Sequence, residues 1–155
     1  MASSITNNDP TPQPKPMMEL IYVVRHGRTA LNAQDRFRGR ADPPLDQVGH
    51  VEALTAARTL EDLGLLAVHT SPLRRALETA GPIAERAGVP VHVVLGLTDL
   101  DYGRWEGRTR VEAAAADPVA FERFLRDPVN ATLPRGRGSA TWWSARDLSE
   151  CPQVG

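Results

Sequence analysis

The chain has 155 residues, 41% hydrophobic and 24% charged, which suits one globular domain with a real core rather than two. A formal net charge of -1 means that no global field draws it to nucleic acid or to an anionic membrane, so any basic pocket must be local. The single cysteine, Cys151, excludes an internal disulfide framework, and no apolar run approaches the length of a bilayer span or the pattern of a signal peptide. A cytoplasmic protein with no membrane or nucleic-acid partner is expected.

Residues 1–18 are polar, with Pro10, Pro12, Pro14 and Pro16 alternating, and read as a disordered leader in which Met17 or Met18 is an alternative start. A partial domain is expected over 19–130. It opens with an expected strand over 19–25, read as buried on both faces from its apolar run Leu20-Ile21-Tyr22-Val23-Val24. That run ends in Arg25-His26-Gly27, at a strand lip of the kind where open α/β sheets keep their ligands. After a polar loop with Gly39, Pro43 and Pro44, Asp46 is the expected N-cap of a helix over about 47–63. Val48, Val51, Leu54, Ala57 and Leu60 would form its apolar face.

Leu65 to Val68 reads as a second strand, and a helix over about 72–87 follows, closed by Gly88 and broken or kinked near 81 by Pro82. Val89 to Leu95 makes a third strand. This β-α-β-α-β order predicts an α/β domain with parallel strands. Residues 109–127 read as two helices hinged at Asp117-Pro118. Beyond Asn130 the periodicity fails, and 131–155 is expected to be irregular.

Four segments carry the chemistry. The first is Arg25-His26-Gly27 with Thr29 and Asn32, and the second is Gly39-Arg40-Ala41-Asp42-Pro43-Pro44-Leu45. The third runs from Thr70-Ser71-Pro72-Leu73-Arg74-Arg75 to Thr79-Ala80, and the fourth from Leu97-Thr98-Asp99-Leu100-Asp101-Tyr102 to Gly107. In this order they resemble the signature of the histidine phosphatase superfamily, which includes the phosphoglycerate mutases. The resemblance covers roughly residues 19–127.

The resemblance implies a three-layer α/β/α phosphoglycerate mutase-like fold, here incomplete. It implies a phosphatase acting on phosphate monoesters of small metabolites through a phosphohistidine on His26. A mutase is the alternative, although full-length mutases usually carry longer insertions around the site. A non-catalytic phosphate-binding protein or inactive fragment is the alternative outside enzymology.

Elementary chemistry agrees with the implied roles. Neutral imidazole is available near pH 7, and a covalent intermediate divides one hard displacement into two easier ones. Arg25 and Arg75 offer planar forks for phosphate oxygens. Gly27 is expected to let the backbone turn and approach the substrate. Asp99 stands where the family normally has a glutamate and would protonate the leaving group, with Asp101 as fallback. Arg74, His50, Trp105, Tyr102 and the strand histidines His69 and His92 read as structural or surface residues. The four histidines lack metal-ligand spacing, and neither a Walker A sequence nor Gly-x-Gly-x-x-Gly is present, so no metal or cofactor is expected. The oligomeric state and the substrate are not legible.

The family's second histidine has no counterpart, since no histidine follows His92, and Arg135-Gly136-Arg137-Gly138-Ser139 stands where Gly-Gly-Glu-Ser is expected. A reading-frame change near residue 135 is the expected cause, which the coding DNA would contradict if no alternate frame downstream encodes a strand ending in His-Gly. Trp142-Trp143 must be encoded TGGTGG, and with GCG, ACG and TCN for Ala140, Thr141 and Ser144 a one-base shift reads Asp-Val-Val-Val. In the family fold the strand bearing that histidine lies between the first two strands of this chain. A marginal fold and little turnover are therefore expected.

Overall fold

A computed structural model of the chain describes residues 20–128 together with 130, 131 and 133. The expected leader and most of the expected irregular tail lie outside the described residues. The elements in chain order are α1 (Ala30–Ala33), α2 (Gln47–Leu60), β1 (Val68–Thr70), α3 (Arg74–Ala87), β2 (Val91–Val93), α4 (Arg110–Ala116) and α5 (Pro118–Arg126). None of these helices is long and apolar enough to cross a membrane.

β1 and β2 pair in parallel across the α3 crossover, with Val68 opposite Val91, His69 opposite His92 and Thr70 opposite Val93. The predicted parallel β-α-β unit is therefore present, but both strands are shorter than their apolar runs suggested. β1 begins at Val68, where the run over 65–68 was expected to end, because pairing with β2 fixes the register and hydropathy does not. His69 and His92 stack with ring centroids 5.1 Å apart.

The expected strand over 19–25 is not formed by the described residues 20–25. These residues join no ladder, and Leu20 to Val24 are all exposed. An apolar run becomes a strand only when a neighbour accepts its N–H groups and donates to its carbonyls. No described residue does so here.

α2 starts where predicted, with the Asp46 carboxylate accepting from Gly49 N–H at 2.9 Å. Its buried stripe is Gly49, Ala53, Ala57 and Leu60, so the expected face built on Val48, Val51 and Leu54 was rotated; those three are exposed. Small residues let α2 lie close to α3, and Ala57, Leu60 and Ile83 form a core against which Leu65 and Val68 pack.

α3 runs unbroken through Pro82, contrary to the expected interruption. A proline inside a helix removes one backbone donor, and here the burial of Thr79, Ala80, Ile83 and Ala84 outweighs that loss. Gly88 closes the helix in the left-handed conformation, as expected. α4 and α5 meet at Asp117-Pro118, also as expected, with Asp117 capping α5 through Ala120 N–H. They enclose a second, aromatic core in which Trp105, Ala113 and Leu133 are buried beside Phe37, Tyr102, Phe121 and Phe124.

Candidate active site

The Arg25–Arg28 segment has no ladder partner, yet it is held on both sides. Gly27 N–H donates to Thr79 Oγ1 on α3 at 3.0 Å, and that hydroxyl donates to the Arg75 carbonyl at 2.7 Å. Arg28 N–H donates to Glu52 of α2 at 2.7 Å, while Asp46 N–H donates to the Arg28 carbonyl at 2.9 Å. A Cβ on Gly27 would stand 2.4 Å from the Gly49 carbonyl oxygen. The glycine is thus required where two backbones meet. Gly49 is its counterpart, since a Cβ there would lie 2.1 Å from the Arg28 carbonyl oxygen.

His26 is half-buried, and its Nδ1 lies 2.7 Å from the Gly27 carbonyl oxygen. A carbonyl only accepts, so Nδ1 carries the proton and Nε2 keeps its lone pair. Burial pushes the imidazole below its ordinary value. The Gly27 carbonyl opposes that shift, and the charges of Arg75, Arg38 and Arg25 add to it. Each of these arginines penalises an imidazolium, so together with burial they favour the neutral form.

Arg75 is buried and fully partnered on one side. Its Nη1 donates to the Ala41 carbonyl at 2.9 Å, and its Nη2 donates to the Gly39 carbonyl at 2.8 Å and to Asp99 at 2.9 Å. The same loop is tied to α3 twice more. Arg74 N–H donates to Asp42 at 2.6 Å, and Leu45 N–H donates to Glu78 at 2.7 Å. Motifs separated by some thirty residues in the sequence are therefore one bonded unit. Arg74 itself is exposed and pairs with Glu78, as expected of a helix-face cation.

Asp99 is brought to Arg75, with one carboxylate oxygen on the guanidinium and the other accepting from Leu100 N–H at 2.8 Å. Asp101 lies apart, accepting from Gly103 N–H and facing Arg40 at 3.8 Å. Thr29 and Asn32 form a reciprocal capping box at α1, and Thr29 is completely buried. Their side chains bond to each other and shape the loop that follows His26. Arg25 is exposed.

A model of the histidine phosphatase superfamily (branch 1) matches residues 21–146. The chain belongs to this superfamily. A bifunctional protein of Mycobacterium tuberculosis is 40% identical over 117 residues, covering 75% of this chain and 32% of that protein. Glucosyl-3-phosphoglycerate phosphatase of the same species is 35% identical over 126 residues, covering 81% of this chain and 56% of the relative. A mycobacterial glucosyl-3-phosphoglycerate phosphatase in complex with VO3 superposes with a TM-score of 0.67 at 32% identity, over 73% of this chain and 54% of that one. The described part therefore has the α/β fold of phosphoglycerate mutase-like phosphatases, and the chain spans only 32% to 56% of the length of these relatives.

Within this candidate site, the sequence reading missed two kinds of residue. Thr79 is visible in the sequence only as part of a motif, yet it joins His26-Gly27 to Arg75. Arg38 was not singled out at all, although its charge bears on His26, Arg75 and Tyr102. The signal was available: Arg38 is a cation immediately before Gly39, inside a loop that the Gly39 and Ala41 carbonyls fasten to Arg75.

Proposed function

We propose that the site hydrolyses phosphate monoesters of small metabolites through a phosphohistidine on His26. The observation that carries this reading is the Nδ1–H bond from His26 to the Gly27 carbonyl, which leaves Nε2 as the nucleophile among three arginine charges. In the first step Nε2 attacks phosphorus, the phosphorus–ester oxygen bond breaks, and the departing alkoxide takes a proton. Arg25 and Arg75 offset the charge of the phosphoryl oxygens. Asp99 is the proton donor nearest Arg75, and it must exchange its Arg75 contact for a proton before it serves as an acid. In the second step water attacks the phosphohistidine and restores neutral His26.

The glucosyl-3-phosphoglycerate phosphatases among the relatives support a phosphorylated metabolite as substrate. Exposing the protein to a radiolabelled phosphate ester should give acid-labile label on His26. The label should be lost in His26→Asn and retained in His50→Asn. Label that survives His26→Asn would overturn the assignment. A second reading, phosphate binding with little turnover, is favoured by the unpaired 20–25 segment that leads directly into His26. Robust, vanadate-sensitive hydrolysis by residues 1–155 would exclude it.

A further inference from the structure

Arg25 and Arg38 are the guanidinium groups of this site that form no hydrogen bond or ion pair among the described residues, and of the two it is Arg38 whose Nε is buried without an acceptor. Stripping a charged donor of water without replacing the bond is costly, on the order of 1–3 kcal/mol or more, so folded proteins rarely leave one that way. The cost is not relieved by the chain wandering, because both neighbours of Arg38 are fixed.

Phe37 is held by two backbone bonds of 2.8 Å, to the Arg108 carbonyl and from Gly107 N–H, and its ring lies 4.9 Å from that of Tyr102 and 5.6 Å from that of Trp105. Gly39 is in the left-handed conformation with its carbonyl on Arg75. The Arg38 carbonyl itself accepts from Ala41 N–H at 2.9 Å. The side chain thus leaves an anchored backbone.

Charge gives the direction. Arg25, Arg38 and Arg75 all act on His26, and Asp99 neutralises one of them by its contact with Arg75. Two guanidinium charges remain, which matches the nearly two negative charges of a phosphate monoester near neutral pH. We propose that Arg38 is a phosphate-binding residue of this site, its unpartnered guanidinium closing on the oxygens of the phosphoryl group that His26 attacks. This rests on the phosphatase reading for the identity of the anion. An arginine suits the task because its planar fork engages two oxygens where a lysine engages one.

The test is binding of inorganic phosphate to the full chain, followed by the His26 ring resonances, in wild type, Arg38→Met, Arg38→Lys and Arg104→Met. Arg38→Met is expected to weaken phosphate about tenfold or more, the loss of at least one charge-assisted hydrogen bond. It should also raise the pH at which His26 titrates in the phosphate-free protein, while Arg38→Lys restores the titration but not the full affinity. Arg104→Met should match wild type. Circular dichroism checks that each variant is folded, and Arg38→Lys carries the test if the methionine variant is not.

Equal phosphate affinity in wild type and both Arg38 variants overturns the proposal. So does phosphate affinity that is unchanged while only a carboxylate-bearing ester binds less well, since Arg38 would then serve the leaving group. Wild-type protein that shows no phosphate response at His26 overturns it as well. Phosphate binding that depends on Arg38, without any label on His26, supports the proposal and defeats the phosphohistidine reading alone.

Discussion

Ile21 and Val23 are 85% and 93% exposed, whereas the Arg75 residue is 1% exposed. By transfer free energy the two regions are the wrong way round: aliphatic side chains gain about 1.5–3 kcal/mol each on full burial, and an unpaired buried cation costs far more. The inversion follows from partners. Arg75 donates to two carbonyls and a carboxylate, so its burial leaves those groups satisfied. Among the described residues, 20–24 meet no ladder and no covering side of the core, so their apolarity finds nothing there to act on. His26 sits at the junction, with a weakly held segment before it and Gly27 clamped to α2 and α3 behind it.

The largest test of this contrast removes the buried cation. Arg75→Ala should destabilise the chain by about 3 kcal/mol, because two carbonyls and Asp99 lose their donor at once. Urea unfolding measures it, and a change below about 1 kcal/mol would mean that the stitched loop does not depend on Arg75. Gly27→Ala comes next, at roughly 2 kcal/mol, since its Cβ must displace the Gly49 backbone. Thr79→Val should cost about 1–2 kcal/mol, from leaving the buried Gly27 N–H unpaired.

A smaller effect is expected from acid. The His26 value is lowered in the folded chain, so the unfolded chain binds the proton more readily. Stability should therefore fall as the pH drops below the ordinary histidine value of about 6.5, and His26→Asn should flatten that part of the profile. A steeper fall in His26→Asn than in wild type would contradict the sign. The smallest effect belongs to the other region. Ile21→Lys and Val23→Lys should change stability by less than about 0.5 kcal/mol, as exposed positions do. A loss comparable to that of Gly27→Ala would show that these side chains are covered in solution.

Helix positions were legible in the sequence because caps and breakers act locally. Asp46, Gly88 and Asp117-Pro118 mark their boundaries through bonds to residues within four positions. Strand positions were less legible, since Val68 and Val91 are selected by one another rather than by their neighbours in sequence. The α2 face was misread for the same reason. Val51 and Leu54 are more hydrophobic than Ala53 and Ala57, but α3 approaches the alanine side.

His26, Arg75 and Asp99 were each visible as residue types in recognisable segments, and the sequence alone determined the family to which they belong. What only the tertiary structure decided is which of their atoms are available. The Gly27 carbonyl sets the His26 tautomer, and Arg75 spends donors on its own loop. Thr29 and Asn32 satisfy each other, while Arg38 is left with a buried donor and no acceptor. Hydrogen bonds are made between atoms that the fold brings within about 3 Å, and no linear pattern encodes that distance.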